Sequence, residues 1–130
     1  MMMQALEALR DALGQIPGVQ TCRIGLEENI TPDDYPLIRL VPSLAADGVT
    51  IGKRRMDLLI YFGMPLQPFD DSPDGSGRVR LEKLYAALLE LEAQIRDMIA
   101  QQGALYRETI ADEDRLDTYK LMAIRCSVEA

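Results

Sequence analysis

The residues with the most chemical potential are carboxylates. They come in four runs: Glu27-Glu28, Asp33-Asp34, Asp70-Asp71 and Asp112-Glu113-Asp114. General acid/base work needs two carboxyls converging on one pocket with separated pKa values. Adjacent acids in polar loops sit in water instead, and that is how these four are read. The stretch Asp70-Asp71-Ser72-Pro73-Asp74-Gly75 places oxygen donors at positions one, three and five and glycine at six, as a calcium loop does. The match ends there. Position twelve is Leu81, the acid Glu82 is one residue late, and prolines stand where the first helix would be needed. The reading is a solvated turn, with no metal and no cofactor assigned. Gly75-Ser76-Gly77 opens a helical pattern and could face a phosphate, but its spacing fits neither nucleotide motif and three aspartates precede it.

No nucleophile comes with a base. The chain has no histidine, which removes imidazole catalysis and imidazole metal ligands. Cys22 and Cys126 are too few and too far apart for a disulfide framework or a metal knuckle, so both read as small buried hydrophobes in a reducing compartment. The expectation is that the protein is not an enzyme. One cationic run, Lys53-Arg54-Arg55, stands out in a chain with 14 basic and 21 acidic residues and a net charge of −7. Such a balance repels phosphate backbones, so nucleic acid is not an expected partner. Three cations suit a protein interface better. The candidate protomer interface is Lys53, Arg54 and Arg55 on one side and Glu27, Glu28, Asp33, Asp34, Asp112, Glu113 and Asp114 on the other, because two different surfaces of one chain can meet head to tail. A strand end that simply reaches solvent explains the cations equally well.

These residues must be positioned by a chain of 130 residues, one domain's worth, with 48% hydrophobic and 27% charged residues. Leu6, Leu9, Leu13 and Ile16 recur at helical spacing and predict a helix over 2–14. Strands are expected at about 19–24, 36–41 and 53–62, the last with Met56, Leu58, Ile60 and Phe62 on a wholly apolar face. Residues 43–52 read as a loop or wide hairpin. Residues 63–77, rich in Pro, Gly and Asp, read as a mobile loop, with Pro65, Pro68, Phe69, Asp70, Asp71 and Asp74 as a candidate docking element. Residues 78–102 are the strongest helix: Leu81, Leu84, Leu88, Leu91, Ile95 and Met98 form a stripe that Leu89 and Ile99 broaden, and Gly103 ends it. Strands over 105–110 and 118–128 close the chain. With no helix between the middle strands, the fold class is α+β: a mostly antiparallel sheet of about five strands with two helices on one face. No apolar stretch approaches the roughly 20 residues needed to cross a bilayer, and the N-terminus lacks a secretory pattern, so an intracellular protein with no membrane partner is expected.

In layout the chain resembles the tail terminator, or tail-completion, proteins of long-tailed bacteriophages and prophages. The resemblance spans nearly all of it: the amphipathic start MMMQALEALRDALGQIPGV, the loop ending Asp34-Tyr35-Pro36 before LIRLVP, the strand RRMDLLIYFGMP, the helix LEKLYAALLELEAQIRDMI, and Tyr106-Arg107-Glu108 with an acidic turn before a last strand containing Tyr119. It implies a non-enzymatic structural protein that caps the tail tube as a ring, possibly a hexamer, and joins it to the head. Its partners would be itself, the tail tube and head–tail connector proteins, and its place the bacterial cytoplasm during assembly and then the virion tail. Two other classes stay open. One is an acidic binding module, of inhibitor or immunity type, covering a basic partner. The other is a small enzyme or ligand-binding domain using Tyr35, Tyr61, Tyr106 or Arg107 in a pocket.

Overall fold

A computed structural model describes residues 2–25, 30–49, 51–65, 78–112 and 119–130; the side chains of 32, 78–81, 112, 119 and 120 lie outside that description. The order is α1 (Met2–Gly14), β1 (Thr21–Ile24), a 3-10 turn (Pro32–Asp34), β2 (Leu37–Asp47), β3 (Arg54–Pro65), α2 (Arg78–Gln101), β4 (Leu105–Asp112) and β5 (Tyr119–Glu129). The strands form one five-stranded mixed sheet in the order β1-β2-β3-β5-β4, so the fold is α+β. Only β1 and β2 pair in parallel; β2–β3, β3–β5 and β5–β4 are antiparallel. Because β5 runs opposite to both its neighbours, β3 and β4 point the same way. Helix α2 is the crossover between them, with β5 filling the gap.

The two helices lie on one face. Alternation along β3 sends Leu58, Ile60 and Phe62 into it, joined by Ile38 and Leu40 from β2 and by Met122, Ile124, Cys126 and Val128 from β5. Leu6, Leu9 and Leu13 of α1 and Leu84, Leu88, Leu91, Ile95 and Ile99 of α2 fill the helix side. Helix α2 narrows its stripe relative to expectation. Ile99 is buried and Met98 packs against the core, but Leu89, one residue past buried Leu88, is 53% exposed. At its end Gly103 takes φ +81°, which lets Ala104 N–H donate to the Ile99 carbonyl (2.9 Å) and Gly103 N–H to the Ala100 carbonyl (3.1 Å). Two otherwise orphaned helix carbonyls are thereby satisfied. Arg96 fastens the same helix to β4: its guanidinium sits 4.0 Å from the centre of the Tyr106 ring and 3.6 Å from Glu92.

Several boundaries differ from the sequence reading. The first strand starts at Thr21, not 19. Strand β2 does not stop at 41. It runs to Asp47 through a bulge between Pro42 and Leu44, so part of the expected loop over 43–52 is paired with β3. A bulge accommodates Pro42, which has no N–H to give a ladder. Strand β3 runs to Pro65, which pairs with Tyr119, so residues 63–65 are strand and not loop. The remainder of the expected docking loop, including Pro68, Phe69, Asp70, Asp71 and Asp74, lies outside the described residues, as does the calcium-like stretch. Among the described residues no helix is long and apolar enough to cross a membrane.

The burial contrast along α2 gives a direct test. Leu88→Ala costs about 2–5 kcal/mol, the usual loss for a fully buried leucine, whereas Leu89→Ala changes stability by less than about 0.5 kcal/mol. Urea denaturation of the two variants measures the difference.

Candidate protein interface

The face of the sheet away from the helices is two-part. Near its start β2 contributes Leu37, which clusters with Tyr35 and Leu121 and is flanked by Ile30. Arg39, two residues on, is wholly buried, and its Nη1 donates to the Ile38 carbonyl (2.8 Å). Farther along, Val41, Leu59 and Tyr61 are half-buried and Leu44 and Leu105 exposed.

The end of the sheet where β3 begins is where the cations gather. Strand alternation divides the predicted trio. Lys53 and Arg55 line a groove of about 310 Å³ with Val49, Leu105, Arg107 and Glu129. Arg54 falls between them on the opposite side of the strand, its N–H donating to the Ala130 carbonyl (2.9 Å). Its place in the groove is taken by Arg107, which a bulge between Tyr106 and Glu108 inserts into edge strand β4. Arg55 is held 3.3 Å from Asp57 on the same face of β3. Glu129 accepts a hydrogen bond from the Val49 N–H. That contact fixes the β2–β3 hairpin tip, where Gly48 N–H also donates to the Lys53 carbonyl (2.8 Å). A Cβ on Gly48 would lie 2.9 Å from that carbonyl oxygen and against the Glu129 carboxylate, so only glycine fits. Beyond it Val49 is 92% exposed and Ile51 entirely so.

The opposite end carries the carboxylates that can be placed. Asp33 and Asp34 form the 3-10 turn before β2, and Asp112 is the last residue of β4. Asp34 is not a spare contact residue. Its carboxylate accepts from Thr31 N–H (2.8 Å) and its carbonyl accepts from the Thr21 hydroxyl (2.8 Å), tying the turn to β1. Asp33 is exposed. Glu27, Glu28, Glu113 and Asp114 lie outside the described residues. An apolar cleft of about 230 Å³ opens at the same end, between the α1–β1 turn (Pro17), the start of β2 (Pro36), the end of β3 (Met64) and α2 (Ala87, Leu91), with Glu90 on its rim. Arg55 and Met64, near the two ends of β3, are on the order of 30 Å apart for a strand rising about 3.3 Å per residue.

Of the four residues named singly for a ligand pocket, Tyr106 lines a shallow hollow on α2 with Ala93, Arg96, Asp97 and Ala100, Arg107 lines the groove, and the four share no one site. Tyr35 is buried in the small cluster, Tyr61 lies in mid-sheet, Tyr106 is under Arg96 on the helix side, and Arg107 is in the groove. Among the described residues no group of three or more His, Cys, Asp or Glu could hold a metal ion. What the sequence missed was Arg107 as a partner of Lys53 and Arg55, and the apolar cleft. The bulge that aims Arg107 leaves no mark in the residue pattern. The exposed Val49 and Ile51 had a signal: β-branched residues in a turn flanked by Gly48 and Gly52, where small polar residues belong.

Both cysteines are thiols, Cys126 buried and Cys22 half-buried. The Cys22 thiol donates to the Arg10 carbonyl of α1 (3.4 Å), pinning that helix to β1. Burial raises the Cys22 pKa from 9.0 to about 11 and the Cys126 pKa from 9.0 to about 12. Both thiols therefore alkylate more slowly at neutral pH in the folded chain than in the unfolded one, as mass spectrometry with and without urea will show. The folded state holds these protons more tightly than the unfolded chain does. The stability gained is complete below about pH 9 and falls as pH climbs towards 11 and 12. The stability difference between wild type and the Cys22→Ala/Cys126→Ala variant accordingly narrows between about pH 8 and about pH 10.

No protein-family model matches the chain, and no curated protein matches it.

Proposed function

We propose that the chain is a non-enzymatic structural protein of a long-tailed phage or prophage, which caps the tail tube and joins it to the head as a ring oligomer. The observation that carries this reading is the polarity of the sheet. Lys53, Arg55 and Arg107 collect at one end, where they outnumber Asp57 and Glu129, and Asp33 and Glu90 stand exposed at the other. A surface that is basic at one pole and acidic at the other is complementary to a second copy of itself. Placed head to tail, the contact repeats and closes a ring when the rotation allows, which is the arrangement the tail-terminator layout favours over a two-fold pair. The layout of helix, hairpin, long helix and hairpin, with its resemblance to tail terminators, supplies the biological setting: the bacterial cytoplasm during assembly, the virion tail afterwards, with tube and head–tail connector proteins as neighbours.

Light scattering coupled to size exclusion, over a range of protein concentration and salt, tests the reading. The expected result is a species near six protomers that grows with concentration and weakens as salt shortens the Debye length from about 10 Å at 0.1 M to about 3 Å at 1 M. If the protein is a monomer throughout and also fails to bind purified tube protein, the reading is overturned in favour of an acidic module that covers a basic partner.

A further inference from the structure

The hairpin tip and the apolar cleft are related by shape, chemistry and position. We infer that Ile51, at the β2–β3 tip of one copy, seats in the cleft between α2 and the β2/β3 end of a second copy. The inference rests on the self-association just proposed and names its contact. Val49 and Ile51 are both β-branched residues standing almost bare in solvent, in a chain whose other aliphatics at that hairpin are paired in the sheet. Their turn conformation is disfavoured by residue type, so the sequence keeps them against local preference. The cleft is the complementary shape. Its volume of about 230 Å³ exceeds the roughly 150 Å³ that accommodates a benzene-sized group in a dry cavity. Pro17, Pro36, Met64, Ala87 and Leu91 give it an apolar lining.

Charge fixes the orientation. Lys53 and Arg54 follow the tip directly, and Glu90, exposed on the cleft rim, is their counterpart in the second copy. Tip and cleft lie at opposite ends of β3, too far apart for one chain to satisfy itself. Each copy therefore offers one knob and one hole, and in the ring proposed above the contact repeats head to tail.

Two measurements decide it. Isotope-labelled Ile51→Cys protein is mixed with unlabelled Ala87→Cys protein under mild oxidation, and mass spectrometry counts the mixed disulfide. The expected yield is at least tenfold above that of Ile51→Cys mixed with Met3→Cys, whose thiol lies on the exposed side of α1. In parallel, Ile51→Asp weakens self-association at least tenfold by sedimentation while leaving the melting temperature within a degree or two, since Ile51 touches nothing in its own chain. If wild type assembles, Ile51→Asp assembles as well, and the disulfide shows no preference for Ala87→Cys, this contact is wrong although self-association stands. If wild type assembles neither alone nor on purified tube protein and no preferential disulfide forms, both fall.

Discussion

The rest of the molecule depends on the two-sidedness of β3. It is the central strand of the sheet, with an antiparallel neighbour on each side, β2 and β5. Its even-numbered residues Leu58, Ile60 and Phe62 are the floor under α2 and the centre of the core, while α1 lies beside it over β1 and β2. Each of those side chains contributes about 1.5–3 kcal/mol by leaving water, and a register slip of one residue would exchange all three for Asp57, Leu59 and Tyr61. The same period of two that builds the core sends Lys53 and Arg55 to one surface and Arg54 to the other. Core and cationic groove are thus products of one alternation, and neither can be moved without the other.

That constraint explains what could be read from the residues alone. The two helices, the apolar face of β3 and the inward set Met122, Ile124, Cys126 and Val128 were legible because periodicity over eight or more residues is hard to imitate by chance. The five-stranded α+β class followed from their order. The extents of β2 and β3 were not legible, because Pro42, Gly63 and Pro65 are breakers by composition while a bulge and strand ends absorb them in three dimensions. For the interface, Lys53 and Arg55 were found as a run, but a run in sequence is split by the pleat. Their true neighbour Arg107 comes from a strand that enters the sheet after a 24-residue helix. Long-range placement of that kind is set by topology, to which local pattern is blind.

The sheet edges are protected unequally. Strand β1 is short, four residues, and covered by α1. Strand β4 spans eight residues and is interrupted by the Arg107 bulge, with the charged pair Glu108–Arg125 (3.5 Å) across it on the open face. Bulges and charges are the ordinary means by which an edge is kept from pairing with another chain. The fold therefore discourages edge-to-edge growth while leaving an aliphatic tip bare at the end of the β2–β3 hairpin. The bare aliphatic surface is thus at the strand ends and not along the strand edge.

The energetics of such a contact bear on when it forms. Burying one isoleucine-sized knob contributes about 1.5–3 kcal/mol, and exposed charge pairs add about 0–1 kcal/mol each. Bringing two bodies together costs about 4–15 kcal/mol in lost translational and rotational freedom. One knob in one hole falls short of that cost, so isolated dimers are a sparse species. Closure changes the balance, because the last contact of a ring is made between ends already held together and is strengthened by their effective concentration. A template that lines protomers up has the same effect from outside. Assembly on these terms would be steep in concentration and favoured by a surface that presents several copies at once, as the proposed capping role requires.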